Sequence, residues 1–121
     1  MDILESILVK LNANTQLKAL VTSINPFNVN GVNKMFYKFL PLTSDKVVAQ
    51  ARLELTAVCD SYTSSLKAIE QAKSSLITLG DEELTNRIKS VRLNGGGSLF
   101  NYDTKTYHQS AYFTIIYKEL I

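Results

Sequence analysis

The longest periodic segment of the chain covers residues 47–59 and reads VVAQARLELTAVC. One side of this segment carries small or apolar residues at every second position: Val47, Ala49, Ala51, Leu53, Leu55, Ala57 and Cys59. The other side carries Gln50, Arg52, Glu54, Thr56 and Asp60. A period of two over this length predicts a β-strand with one buried and one solvent-facing side. The fold therefore needs a layer that packs on one face of a sheet and leaves the other face open.

The closing segment repeats this pattern. Ala111, Phe113, Ile115 and Tyr117 share one side, and His108, Ser110, Tyr112, Thr114 and Lys118 share the other. Shorter strands are predicted at residues 35–40, ended by Pro41 and a polar turn, and at residues 87–93, and residues 98–102 are predicted to be a short strand or a loop edge. The run Gly95–Gly97 is predicted to be a flexible hairpin tip, and residues 103–105 a turn. Residues 23–34 are predicted to be a loop in which Asn30-Gly31 forms either a type I′ hairpin turn or an irregular surface loop.

Three segments have helical spacing. Residues 2–11 form an amphipathic pattern capped by Asp2, and a second short helix begins at Asn14 or Thr15. A third helix is predicted over residues 61–79, ending at Gly80, with Tyr62, Leu66, Ile69, Ala72 and Leu76 on its buried side. Because strands and helices do not alternate regularly, the sequence predicts an α+β fold with two layers, in which helices pack on one face of a mostly antiparallel sheet of four to five strands.

The totals indicate an ordinary globular domain. The chain has 121 residues, 45% of them hydrophobic, and a net charge of +2, which fits one domain. This charge is too balanced to indicate nucleic-acid binding by itself. The single cysteine, Cys59, excludes an intrachain disulfide and favours a reducing compartment. The N-terminus lacks the basic start of a signal peptide and no apolar run has the length of a membrane span, so we expect a soluble cytoplasmic protein.

The candidates for chemistry are weak. His108 is the only histidine and lies on the open side of the last strand, and Cys59 lies on a buried side. The three glycines lack the Lys-Ser/Thr that a phosphate-binding loop needs, and the acidic run Asp81–Glu83 has no histidine or cysteine near it in sequence. We therefore predict no enzyme activity, no cofactor and no metal site.

Several segments together carry a resemblance to a known family. An amphipathic first helix precedes NTQLKALV; the strand VVAQARLELTAVCDSY runs directly into the helix TSSLKAIEQAKSSL; RIKSVRL follows a polar loop; and the chain closes with FNYDTKTYHQSAYFTIIYKEL. In this order and spacing the chain resembles the small tail-terminator, or tail-completion, proteins of long-tailed bacteriophages. The resemblance covers Asp2 to Glu119.

The resemblance implies a structural role in the neck of a virion. Its members form a ring, usually of six subunits, that caps the tail tube, stops its elongation and joins the head connector, while DNA passes through the lumen without specific binding. It implies partners in the tube protein, the head-closure protein and other copies of the chain, with no membrane involved. The candidate interface residues are Arg52, Glu54, Tyr112 and His108. The candidate lumen or docking loop consists of Gly95, Gly96, Gly97, Arg87, Lys89 and Arg92.

Two alternatives remain open at the level of sequence. One is a neighbouring neck protein, such as a head-closure or adaptor component. The other is a small α+β module that binds nucleic acid or regulates, in which Arg87, Lys89 and Arg92 act with Tyr102 or Tyr107.

Overall fold

Three helices and five strands form the fold in a computed structural model that describes residues 2–27, 31–44, 47–79 and 82–118. The strands are β1 (Ile24–Pro26), β2 (Lys34–Ser44), β3 (Val48–Cys59), β4 (Ile88–Asn101) and β5 (Thr106–Lys118). They form one sheet in the order β1-β2-β3-β5-β4. Only β1 is parallel to its neighbour, and the other three pairs are antiparallel. The predicted α+β class with a mostly antiparallel sheet is confirmed.

Each helix begins at a polar residue that satisfies a free backbone N–H. The helices are α1 (Ile3–Asn12), α2 (Thr15–Leu20) and α3 (Tyr62–Leu76). The side chain of Asp2 accepts a hydrogen bond from the Glu5 amide at 2.7 Å, and Asn14 accepts one from the Leu17 amide at 3.0 Å. Asn14 also donates to the Ser75 hydroxyl at 2.8 Å. This residue therefore starts α2 and also attaches it to α3.

The core lies between the helices and one face of the sheet. The odd-numbered residues of β3, and those of β5 from Gln109 to Tyr117, are buried on this side of the sheet. The largest fully buried side chains of the core include Ile7, Leu11, Leu17, Leu53, Leu55, Leu76, Phe113 and Ile115. This is the side that the alternation predicts for both strands, from Ala49 to Cys59 and from Ala111 to Tyr117. Val47, assigned to the same side, precedes β3 and is 63% exposed. Among the described residues, none of the helices is long and apolar enough to cross a bilayer.

The strand β2 is longer than predicted. It continues through Pro41 to Ser44 instead of ending at Leu40. Proline is tolerated here because β1 covers β2 only from Met35 to Tyr37, so Pro41 lies where β2 is a sheet edge, and the register with β3 shifts just after it. Residues 24–26, predicted as loop, form β1. The pairing of β1 with β2 is parallel and so is not a hairpin; residues 28–30, which include Asn30, lie outside the described residues.

The strand β4 passes straight through the three glycines. Gly95, Gly96 and Gly97 pair with Tyr112, Ala111 and Ser110 of β5, so the predicted hairpin tip is wrong. The long antiparallel partner supplies a full ladder, which outweighs the low strand preference of glycine. The separate turn predicted at residues 103–105 is present and covers residues 102–105. In it Lys105 adopts a φ of 56°, and the Asn101 side chain accepts a hydrogen bond from the Asp103 amide.

The helix α3 buries Ile69, Ala72 and Leu76 as predicted, but it is shorter, and its first two predicted core residues are exposed. Tyr62 and Leu66 are 49% and 39% exposed, whereas Ser65 and Ala68 are buried. Ser65 is compatible with burial because its hydroxyl donates to the Tyr62 carbonyl oxygen at 2.7 Å. Small side chains thus face the sheet in the first turns, and the helix ends at Leu76. Gly80, the predicted stop, lies outside the described residues.

Candidate interaction surface

The face of the sheet that points away from the helices is the candidate functional surface, here called the open face. It is formed by the even-numbered residues of β3 and β5 and their neighbours on β2 and β4. Five rows of paired residues cross it: Lys34–Val58–His108–Leu99, Phe36–Thr56–Ser110–Gly97, Lys38–Glu54–Tyr112–Gly95, Leu40–Arg52–Thr114–Arg92 and Thr43–Gln50–Ile116–Ser90. No described helix covers this face. Most of the polar side chains on its two central strands are nevertheless half-buried, because neighbouring side chains cover one another.

Three of the four predicted interface residues meet at the centre of the open face. The Arg52 guanidinium lies 4.7 Å from the ring centroid of Tyr112, and its Nη2 lies 3.3 Å from Oε1 of Glu54. Glu54 and Tyr112 are paired across β3 and β5, so Arg52, Glu54 and Tyr112 form one cluster. The Nε of Arg52 is enclosed and has no hydrogen-bond partner among the described residues. Stacking and the ion pair hold the guanidinium in one orientation on the open face.

The fourth predicted interface residue, His108, lies apart from this cluster. It is four residues from Tyr112 along β5, a distance of about 13 Å at the usual strand rise. Its Nε2 is 3.0 Å from the Thr106 hydroxyl, which in turn is 2.7 Å from the Thr104 hydroxyl. His108 is half-buried, and it shares with Phe36 and Val58 the boundary between two concave regions of the open face.

These concave regions have volumes of about 600 and 580 Å³. The first, here called the groove, runs from Phe27 beside β2 across Thr56 and Ser110 to Gly97 and Leu99 on β4. Two of its main residues, Phe36 and Val58, were not predicted as surface residues from the sequence, and both are buried although they lie on the open face. Val58 carries a signal in the sequence, since Ala57-Val58-Cys59 places three apolar residues in succession where the alternation requires a polar one.

The predicted lumen or docking residues do not form one loop. Arg87 and Gly97 are ten residues apart on or beside one strand, which is about 33 Å. The Arg87 Nε donates to the Lys118 carbonyl oxygen at 3.0 Å, and the Arg92 Nη1 donates to the Thr78 carbonyl oxygen at 3.2 Å. Lys89 is exposed. The structure thus distributes these residues along the edge strand β4 instead of gathering them at a tip.

The three glycines differ in what the structure requires of them. Gly95 has a φ of +150°, which side-chain-bearing residues rarely adopt, and a Cβ added there would lie 3.3 Å from Cδ2 of Tyr112. A Cβ added to Gly96 would lie 2.6 Å from the Ser110 carbonyl oxygen. A Cβ added to Gly97 would meet no atom within 4 Å. The backbone therefore needs glycine at the first two positions and not at the third.

The two residues weighed for catalysis lie on opposite faces. Cys59 points into the core, where burial, and then the negative charge of Asp60, raises the pKa of its thiol to about 11. His108 projects from the open face of β5, beside Val58. The sheet itself separates the two side chains, so they do not form a Cys–His pair.

The acidic and aromatic candidates are also separated. Glu83 lies 3.5 Å from the Lys118 amine, while Asp81 is outside the described residues. Tyr107 packs between Tyr62 and Phe100 on the helix side of the sheet. Tyr102, in the turn after β4, is 83% exposed and packs edge-on against Phe100. These aromatic residues lie at the opposite end of β4 from Arg87 and Lys89.

A chain in the virion of a native gene transfer agent (GTA) particle has the same fold. The two structures superpose with a TM-score of 0.72, and the match covers 96% of this chain and 94% of that chain. The sequences are 11% identical over the match, so the likeness establishes the fold that the two chains share. No protein-family model and no curated protein sequence matches this chain.

Proposed function

We propose that this chain is a virion structural protein of the tail-terminator type. Copies of the chain, six in the proposed ring, cap the tail tube, stop its elongation and form the surface to which the head connector attaches. DNA passes through the lumen of the ring without specific binding. The protein acts in the neck of the virion after assembly in the host cytoplasm, and its role involves no catalytic step, cofactor or membrane.

The observation that carries the proposal is the fold match with a virion component. It extends over nearly the whole of both chains, so it concerns the complete α+β arrangement and not a common substructure. A virion is an assembled particle, and this supports a role in assembly for a chain with the same fold. The sequence resemblance to tail terminators, from Asp2 to Glu119, narrows that role to the cap of the tail tube.

The sheet offers the surfaces that a ring requires. In a closed ring each subunit contacts its neighbour through two different patches. The two edges of this sheet differ: β2 is covered by β1 only at Met35–Tyr37, and β4 forms the opposite edge with its glycine run exposed. The open face adds a third, polar surface. We propose that self-association uses these strand edges or the sheet face and not α1.

Electron microscopy of particles assembled with and without this chain tests the proposal. Without it we expect tails of uncontrolled length that lack heads, and adding the purified chain should restore tails of uniform length. Normal tubes with heads missing would instead indicate a different neck component. Intact particles in its absence, combined with salt-sensitive binding of the purified chain to oligonucleotides, would replace the proposal with a nucleic-acid-binding module.

Charge reversal at the centre of the open face tests its part in assembly. Arg52→Glu or Glu54→Arg should each weaken ring formation, because each places two like charges side by side on the proposed contact surface. The change in unfolding free energy should stay within about 1 kcal/mol, since the pair is partly exposed and such pairs contribute little. Ring formation is measured by mass photometry and stability by urea unfolding.

The double variant Arg52→Glu/Glu54→Arg is the control for this experiment. It restores an attractive pair but exchanges the positions of the two charges on the face. If only the internal pair matters, the double variant should assemble normally; if the face contacts a neighbour, it should remain defective. Unchanged tail capping by both single variants would remove Arg52 and Glu54 from the contact surface.

A further inference from the structure

The floor of the groove on the open face is held in place by contacts within the sheet. This floor is formed by Thr56 and Ser110, whose hydroxyls are 3.0 Å apart and satisfy each other, and by the buried side chains of Phe36 and Val58. The floor is therefore fixed by strand pairing and internal contacts. We propose that this groove is the docking site for an extended, acidic segment of a partner protein.

Gly97 gives the first argument for an occupant. Its backbone is outside the left-handed region and a Cβ there would meet no atom within 4 Å, so the fold accepts a side chain at this position. Glycine within a strand lowers stability relative to residues that restrict the backbone. Gly97 pairs with Ser110 and borders the groove, so any side chain here would project into it. The glycine keeps the groove open at a cost in stability.

The charges around the groove indicate the chemistry of that occupant. The five rows of the open face contain Lys34, Lys38, Arg52 and Arg92 as cations and Glu54 as an acid, and a second acid, Asp60, lines the adjoining concave region. The Glu54 carboxylate is already paired with Arg52, and the Arg92 guanidinium is held at the sheet edge by the Thr78 carbonyl. Tyr112 borders the groove and carries the Arg52 guanidinium on its ring. Lys34 and Lys38 have no acidic partner among the described residues, and they flank the groove residue Phe36 on the same side of β2. A carboxylate of the docked segment therefore meets these two cations beside the groove.

The aromatic residues of the open face favour a protein segment over a nucleic acid. Binding of single strands depends on aromatic ring faces that are free to stack on bases. Phe36 is only 6% exposed, and Arg52 already covers the ring of Tyr112. An extended peptide needs no such ring face, because its apolar side chains fill the groove while its acidic side chains meet the surrounding cations.

A titration followed by amide NMR tests this inference on the whole chain. The probe is a synthetic octapeptide in which glutamate and leucine alternate, compared with a peptide of the same length in which lysine replaces glutamate. We expect the acidic peptide to shift the amides around Phe36, Thr56, Gly97 and Ser110, and the basic peptide to leave them unchanged.

Two variants and one control make the test specific. Gly97→Val should weaken binding by about tenfold or more without lowering the thermal midpoint, because the new side chain occupies the groove and suits a strand. Lys38→Gln should weaken binding by about three- to tenfold through loss of the charge. Lys67→Gln, an exposed change on the far side of α3, should bind as the wild-type chain does.

Four outcomes would overturn the inference. They are full binding by Gly97→Val, equal binding of the basic peptide, tighter binding of an oligothymidylate at the same amides, and shifts of those amides on concentrating the chain alone, which would make a second copy the occupant. The inference builds on the proposed function, because a component between tube and head needs a surface for a second protein. The two fail separately: peptide binding does not require ring assembly, and tail capping does not require this peptide.

Discussion

Phe113→Ala is expected to lower the unfolding free energy by about 3–5 kcal/mol, a large part of the stability of a domain of this size. Phe113 is fully buried at the middle of β5, where it pairs with Leu53 of β3 and Leu93 of β4 on the helix side of the sheet. Removing the ring leaves a cavity between the sheet and the helices, and the strand pairing on both sides of β5 limits how far the sheet can move to close it. Urea unfolding followed by circular dichroism measures the change.

Tyr112→Ala is the matched comparison, because it removes an aromatic ring at the adjacent position on the opposite face. Tyr112 is half-buried and its main contact is the Arg52 guanidinium, so the loss in stability should be about 1 kcal/mol. If Tyr112 lies in a subunit contact, ring formation should fail in a variant that remains folded. Equal destabilisation by the two variants, with assembly following stability alone, would show that the faces of β5 are not divided in this way.

Gly96→Ala is expected to destabilise the fold by about 1–3 kcal/mol through overpacking. The added Cβ would lie 2.6 Å from the Ser110 carbonyl oxygen, which is backbone of the neighbouring strand and not the end of a flexible side chain. The backbone of β4 or of β5 must therefore move at this position. The measurement is the thermal midpoint together with hydrogen exchange of the β4 and β5 amides.

Gly97→Ala is the control for this second prediction, since it adds the same methyl group one residue further on into open space. It should leave the thermal midpoint unchanged or raise it slightly, because alanine restricts the unfolded chain more than glycine does. A similar loss of stability in both variants would mean that the glycine run matters as a whole, through backbone freedom, and not through the close approach at Gly96.

The sequence by itself determined the features that depend on near neighbours along the chain. The alternation in β3 and β5 assigned Leu53 and Phe113 to the core and Arg52 and Tyr112 to the open face, since a period of two places side chains on opposite faces wherever the strand is regular. The caps at Asp2 and Asn14 were likewise predictable, because the donor and acceptor are three residues apart. These face assignments and helix caps could be predicted without knowing which strands pair with each other.

Only the tertiary structure decided the features that depend on residues distant in sequence. The glycine run became part of a strand because β5 pairs along its whole length, and Pro41 stayed in β2 because β1 is too short to cover it. The groove depends on the first of these effects, since Gly97 of the paired glycine run leaves its rim bare, and on the buried Val58, which lies in its floor. Strand order and register bring these residues together, and both are set by the free energy of the whole sheet and not by any local segment.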